Sequence, residues 1–264
     1  MTVAPGETLI QFSHVKKAFG PKVIYTDLSL DIKRGEVITV MGPSGVGKSV
    51  MLKMLIGLLR VDDGTIRFDD VDIEKVPEKD FVDVRRRIAY LFQGAALFDS
   101  LDVGENVAYG LREQFWNKMG EDEIMGRVSQ SLELVGLPGI QTMRPSDLSG
   151  GMRKRVALAR TLALQPEVIL YDEPTTGLDP INTARINHLI NGIKRALKLT
   201  SIVVTHDLGT TFAVSDRVAM LHRGRVRFVG TKDELEASHD PFVRDFIQGR
   251  APETEDVASL LSSS

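Results

Sequence analysis

The chain has 264 residues, 42% hydrophobic and 26% charged, the balance of a globular protein with room for one large α/β domain and a satellite or two modest domains. A net charge of −3 gives no electrostatic footprint for nucleic acid. With no cysteine, disulfides, thiolate metal sites and thiol catalysis are excluded, and a reducing compartment suits the chain. The longest apolar stretch, Val50–Leu59, is broken by Lys53 and falls short of the ~20 apolar residues of a spanning helix. The N-terminal MTVAPGETLI lacks the basic start and apolar core of a secretory signal. Any membrane role is therefore expected to be peripheral.

In chain order, apolar alternation over Thr8–His14 and Val23–Ile32 predicts two antiparallel strands, turned at Phe19-Gly20-Pro21. Val37–Met41 is a short β-rich run that ends in GPSGVGKS, Gly42–Ser49, after which Val50–Ile56 reads as a helix stopped near Gly57. Strand, glycine loop and helix in that order are the context a phosphate cradle requires. Gly42, Gly45 and Gly47, with Pro43, Ser44 and Val46 between them, let the backbone turn successive N–H groups onto phosphate oxygens. Lys48 supplies a mobile charge to the β- and γ-phosphates, Ser49 a hydroxyl for Mg²⁺, and the helix N-terminus its dipole.

Further along, Gly64–Phe68 and Ile88–Phe92 look like strands, and Arg85-Arg86-Arg87 between them reads as a solvated helix face. Gln93, just past the second, offers a neutral amide able to touch both Mg²⁺ and water. Val103 to Gly136 carries helical periodicity, with Trp116, Met119 and Met125 among charged neighbours. LSGGM, Leu148–Met152, is a glycine-flanked serine turn before a helix near Met152–Ala163. Val168–Glu173, VILYDE, is an apolar strand that ends in two carboxylates. A buried strand presents such acids at the mouth of a sheet, where ligands bind. Asp172 is expected to support Mg²⁺ and Glu173 to polarise an attacking water.

A helix over Asn182–Leu197 and a strand over Ser201–Thr205 follow, with His206 placed at the same sheet edge to donate to a γ-phosphate. His14, His188, His222 and His239 lie outside such a context and read as surface or packing residues. A hairpin around Arg223-Gly224 closes the α/β part, which alternates strands with helices as a mostly parallel, doubly covered sheet does. Asp240–Ile247 sets Phe242, Val243, Phe246 and Ile247 on one apolar stripe. So short a helix must pack, on its own domain or on another subunit. The acidic tail from Ala251 is too polar to build a core and is expected to be disordered in isolation.

GPSGVGKS, Gln93, LSGGM, VILYDE, Thr176-Gly177-Leu178-Asp179 and His206, in this order, resemble the nucleotide-binding subunits of ABC transporters over roughly Leu9 to Gly230. The resemblance implies an α/β P-loop NTPase cassette, with a mostly parallel core sheet, an antiparallel β subdomain and a helical subdomain over about 94–165. Residues 1–250 would form the ATPase domain and 251–264 a tail. It implies ATP and Mg²⁺ as ligands and a homodimer in which Ser149, Gly150 and Gly151 reach the opposing subunit's nucleotide while Asp179 couples the two sites. Phe19 falls where the family stacks an aromatic on adenine; a plain core phenylalanine is the alternative.

Two positions depart from the common pattern. Val50 replaces a second hydroxyl, leaving only its backbone N–H for the α-phosphate, and Met152 replaces a glutamine after Ser-Gly-Gly. GKSVMLK, the stretch Gly94–Glu113, LSGGM and DPFVRDF (Asp240–Phe246) are similar to the ATPases of Mla/MCE-type lipid transporters of Gram-negative bacteria. That implies a subunit on the cytoplasmic face of the inner membrane, bound to an integral membrane permease. A small accessory cytoplasmic subunit and a lipid-binding MCE protein would accompany it, with no nucleic acid. In that family a permease helix sits just past the glutamine loop, where Leu97, Phe98 and Leu101 are expected to be exposed, and a C-terminal extension serves subunit contacts. A small-solute importer ATPase and a division-type scaffold are the alternatives. Chromosome-type relatives need a coiled coil for which the 100 residues between Ser49 and Ser149 leave no room.

Overall fold

The computed structural model describes residues 6–250; the expected tail lies outside the described residues. Its first two strands, β1 (Thr8–Phe19) and β2 (Lys22–Lys33), pair antiparallel as expected. The broken alternation at His14 marks a bulge and not a strand end: His14 sits at φ 51° and the ladder resumes at Val15 opposite Leu28. β4 (Asp63–Phe68) adds to the free edge of β1 and β5 (Val71–Asp72) to that of β4, both antiparallel.

The remaining strands behave differently. β3 (Val37–Met41), β7 (Val168–Asp172) and β8 (Thr200–Val204) are buried at every position, as strands covered on both faces must be. They run parallel with β6 (Ile88–Leu91) and β9 (Arg217–His222). β10 (Arg225–Gly230) returns antiparallel on β9 and meets β2 at one parallel pair, Arg225 with Asp27. The ten strands thus join as β5-β4-β1-β2-β10-β9-β3-β8-β7-β6.

Alternate residues of the parallel strands feed two cores. Val168 and Leu170 of β7 pack with α1 (Lys48–Leu55) and the antiparallel strands. Ile169 and Tyr171 face a helical layer of α3 (Val103–Gln114), α4 (Glu121–Leu134), α5 (Gly150–Ala163) and α6 (Pro180–Leu197). Helix starts are capped by side chains: Asp102 and Glu105 form a reciprocal capping box on α3, Ser149 caps α5 and Asp179 caps α6, each worth about 1 kcal/mol. Among the described residues no helix is long and apolar enough to cross a membrane.

One expectation changes. The arginine run lies on α2 (Phe81–Arg87) but is no solvated face. Arg85 donates to the Ile56 carbonyl (3.0 Å) and Arg86 to that of Gln114 (3.0 Å), while Arg87 forks onto Glu167 (2.6 and 2.9 Å) and reaches Asp69 (2.7 Å). The short α2 ends at the junction of both cores and the β subdomain, so its cations hold the parts together. The apolar stripe of α9 (Pro241–Ile247) packs on its own domain, where Val243 is fully buried beside Met41, Val218 and Met220. α7 (Leu208–Val214) and α8 (Lys232–Glu236) are the other α-helices among the described residues.

Candidate nucleotide site

The loop 42–47 leaves β3 and turns into α1 with little steric freedom. Gly47, at φ 109°, has Ile24 and the Tyr25 ring so close that a Cβ would lie 2.5 Å from Ile24 Cγ2. The Tyr25 hydroxyl also donates to the Gly47 carbonyl at 2.7 Å. At Gly42, φ 149°, a Cβ would meet the Leu221 carbonyl oxygen at 2.6 Å. Both turns therefore need glycine for conformation and for space.

Lys48 is buried (7% exposed) and curls back on its own loop, its Nζ donating to the carbonyls of Gly42 (2.8 Å) and Pro43 (3.1 Å). Burial lowers its pKa, partly offset by the charges of Glu173 and Asp172. A buried ammonium held only by neutral carbonyls gains when an anion arrives.

β7 delivers the two carboxylates as its sequence suggested. Asp172 accepts from Ser49 Oγ at Oδ1 and from the Tyr90 hydroxyl at Oδ2, each at 2.7 Å. Glu173 holds a left-handed backbone, φ 50°. Its Oε2 accepts from Thr176 Oγ1 (3.0 Å) and Thr205 Oγ1 (3.2 Å), and its Oε1 from His206 Nδ1 (3.0 Å). Glu173 is 9% exposed; three side-chain donors hold its carboxylate, and the residue lines a cleft.

A cleft of about 450 Å³ brings together Phe19, Ser44, Gly45, Gly47, Lys48, Ser49, Val50, Gln93, Glu173 and His206. Asp172 lies just behind it, reached through Ser49. Phe19 is not a core residue: it is 44% exposed, with Lys17 Nζ 5.2 Å from its ring centroid. Ser49, Asp172 and Gln93 offer only oxygen donors, a set that suits a hard cation.

Ser149, Gly150, Gly151 and Asp179 stand apart from that cleft. Ser149 Oγ accepts from the Met152 N–H (3.3 Å), and Asp179 Oδ1 accepts from those of Ile181 and Asn182 (3.0 Å each). These bonds hold the Asp179 carboxyl below the usual carboxylate range. Ser149, Gly150 and Asp179 are exposed.

The loop after Gln93 corrects one expectation. Leu97 packs against the helical core and Leu101 is half-buried, whereas Phe98 is exposed, its ring tilted against that of Tyr109 with centroids 4.7 Å apart. The loop is held by the buried Asn106, bonded to Phe98, Leu101 and Asp102, and by Arg160, which donates to the Ala95 and Ala96 carbonyls. Sequence reasoning also missed Tyr90, Thr176 and Thr205 as partners of the carboxylates. No local signature marks Tyr90, since parallel pairing alone sets β6 beside β7.

Comparison with known proteins bears directly on this geometry. The ABC transporter family profile matches residues 25–176, the span from β2 through both carboxylates. The chain is 40% identical to the intermembrane phospholipid transport system ATP-binding protein MlaF of Haemophilus influenzae, covering 93% of this chain and 92% of that protein. This chain belongs to the ABC transporter ATP-binding family. It is also 43% identical to the probable ribonucleotide transport ATP-binding protein mkl of Mycobacterium leprae, over 93% of this chain and 70% of that protein. Among solved structures, the cassette MJ0796, in a dimeric post-hydrolysis state with ADP and Pi, superposes with a TM-score of 0.77 at 30% identity, covering 84% of this chain and 98% of that one. The cbiO1 subunit of Clostridium perfringens gives 0.81 at 31% identity, over 88% and 92%. As an ABC cassette the chain is an ATPase subunit of a transporter, and it has the P-loop ABC fold that its sequence pattern implied.

Proposed function

We propose that two copies of this chain close on two ATP molecules at the cytoplasmic face of a bacterial inner membrane and drive an integral permease that moves phospholipid. Residues 1–250 act as one cassette with a helical subdomain over about 94–165. The observation that carries the catalytic half is Glu173, a buried carboxylate held by three side-chain donors beside Lys48 in one cleft. Such a group is oriented before substrate arrives, which is where electrostatic catalysis is most effective.

In this reading Lys48 exchanges its loop carbonyls for β- and γ-phosphate oxygens, and the loop N–H groups with that of Val50 line the polyphosphate. Phe19 stacks on the adenine. Glu173 accepts a hydrogen bond from the attacking water, while His206, tied to Glu173, directs its other ring nitrogen at the γ-phosphate. Ser49, Asp172 and Gln93 would hold Mg²⁺, a cation that keeps waters and substrate phosphates among its ligands. When bound, that cation neutralises charge on the phosphates. Ser149, Gly150 and Gly151 of the second copy close over the same nucleotide, with Asp179 linking the two sites.

Phospholipid as cargo is supported by similarity along nearly the whole length of the MlaF protein. A ribonucleotide is the second reading, favoured by the higher identity to the mkl protein, which extends well beyond this chain's match. By the same similarity, the permease, a small accessory cytoplasmic subunit and an MCE protein are the expected partners, with the exposed Phe98–Tyr109 pair facing the permease. Reconstituting the complex captured from detergent-solubilised membranes decides the matter. ATP-dependent transfer of labelled phospholipid between vesicles, lost in Glu173→Gln, is the expected result; uptake of labelled ribonucleotide with no lipid transfer would replace it.

A further inference from the structure

α5 starts at the turn that carries Ser149, and one turn further along its side chains reach the strand that carries Glu173. Lys154 spans that gap. Its ammonium has three donors, and its three partners are backbone carbonyls in one short segment: Glu173 (3.3 Å), Pro174 (2.9 Å) and Thr176 (2.7 Å). We propose that Lys154 is a positioning residue that sets the geometry of the Glu173 carboxylate from α5.

Three observations converge on this role. Glu173 sits at φ 50°, a left-handed conformation that is strained for a non-glycine residue and persists only where the surroundings hold it. Its N–H is held by the Val204 carbonyl (2.9 Å) on β8, and the carbonyls that follow are held by Lys154 on α5. The peptide is thus pinned from two elements that belong to different layers. The bent segment in turn places Thr176, whose hydroxyl donates to Glu173 Oε2. Removing Lys154 therefore loosens the carboxylate both through its own backbone and through one of its side-chain donors.

Lys154 is also an uneconomical choice for mere structure. It is half-buried, and desolvation lowers its pKa, opposed by the Glu173 charge. On a solvated helix face a lysine extends its head to water. Here the charge is carried inward, to carbonyls beside the Glu173 carboxylate, and among the described residues it hydrogen-bonds neither to the phosphate loop nor to Lys48. Loosening by a fraction of an ångström affects the chemical step far more than substrate binding.

The inference rests on the reading of Glu173 as the group that polarises water, so the test carries a control for that reading. Full-length wild type, Lys154→Met, Lys154→Arg and Glu173→Gln, each in complex with the permease, are assayed across an ATP titration. Lys154→Met is expected to lose about tenfold or more in kcat, with KM for ATP within about twofold of wild type. Lys154→Arg should recover part of the loss, because it keeps the charge and several donors. A kcat for Lys154→Met within about twofold of wild type overturns the proposal. So does a loss that KM shares or that arginine does not lift, the mark of a merely structural lysine. If the methionine variant does not fold, Lys154→Gln, which keeps a short neutral donor, is judged by the same criteria. Should Glu173→Gln itself hydrolyse ATP at the wild-type rate, the reading of Glu173 falls, and this proposal with it.

Discussion

Asp172 and Glu173, at the end of β7, and Ser149 and Asp179, at the starts of α5 and α6, are oxygen-bearing side chains that the chain uses in opposite ways. Around the first pair the partners are all internal: Ser49 and Tyr90 on Asp172, and Thr176, Thr205 and His206 on Glu173. Around the second pair the partners among the described residues are the first turns of their own helices, and both residues are exposed. At Gly150 the nearest atom to a notional Cβ is Leu178 Cδ2, 4.0 Å away. The difference teaches where each kind of defect will show. A site built within one chain is preorganised, so damage to it appears in the rate. A cap that faces outward is complete as a helix cap and idle as anything else until a second surface covers it.

The sharpest way to break the internal half is Glu173→Gln. The amide keeps the shape and most hydrogen bonds but cannot take charge from the water, and the expected loss in ATP turnover is on the order of 10²–10³-fold. Binding of a fluorescent ATP analogue should be retained, and light scattering should find an ATP-trapped dimer. Hydrolysis near the wild-type rate would remove Glu173 from its role.

Ser149→Arg tests the outward half. Its long cation cannot share the surface that the partner's nucleotide would occupy, so turnover should fall about 10²-fold. ATP binding to the isolated chain, measured at concentrations below dimerisation, should be unchanged. A cysteine at Ser149 should crosslink between chains to one near Gly45 only when ATP is present. An ATP-independent crosslink within one chain would mean that Ser149 serves its own chain's nucleotide and faces no second copy.

How far these two halves could be read from sequence follows the same division. The phosphate loop, VILYDE and His206 were legible because a continuous apolar strand followed by polar residues leaves few geometries, and β3, β7 and β8 are buried throughout. β1 was read too short, since the bulge at His14 breaks the alternation on which strand recognition depends. α2, α7 and α8 have at most seven residues, too few for a helical period to declare itself. Leu97 was expected at the surface because it lies in a loop. Asn106 and Arg160 fold that loop down so that Leu97 joins the core. Tyr90 and Lys154 escaped for a common reason: their partners are distant in sequence, and a lone tyrosine or lysine announces nothing.

Tyr90→Phe refines the internal half without dismantling it. Asp172 is 6% exposed, so losing the Tyr90 hydroxyl leaves Oδ2 without a protein donor at a cost of about 1–2 kcal/mol. Burial and the hydrogen bond to Asp172 both raise the Tyr90 pKa, so the hydroxyl stays a donor. The freed carboxylate can turn away from Ser49. The Mg²⁺ concentration for half-maximal ATPase should rise by up to about tenfold, with little change in maximal rate. An unaltered Mg²⁺ titration would mean that Ser49 alone holds Asp172 in place.

The smallest effect belongs to neither half and so serves as the baseline for both. His222 ends β9 and stacks on Phe242 of α9, ring centroids 3.8 Å apart. Its pKa is pulled below the ordinary 6.5, first by burial and then by Arg223 and Arg227, with Asp240 opposing. Asp240 is itself taken up by Arg227 (2.7 Å) and by the first turn of α9. Because the folded pKa is the lower one, the unfolded chain takes up its proton first as pH falls. The contribution of neutral His222 is therefore complete above pH 6.5 and is lost as the pH drops through the lowered folded value. His222→Phe keeps an aromatic on Phe242 and cannot titrate. Its thermal midpoint, relative to wild type, should be constant above about pH 7 and rise by about a degree or two towards pH 5, small because the ring is partly solvated. A difference that stays flat over that range would mean that α9 docks equally well on a charged His222, and that acid sensitivity arises elsewhere.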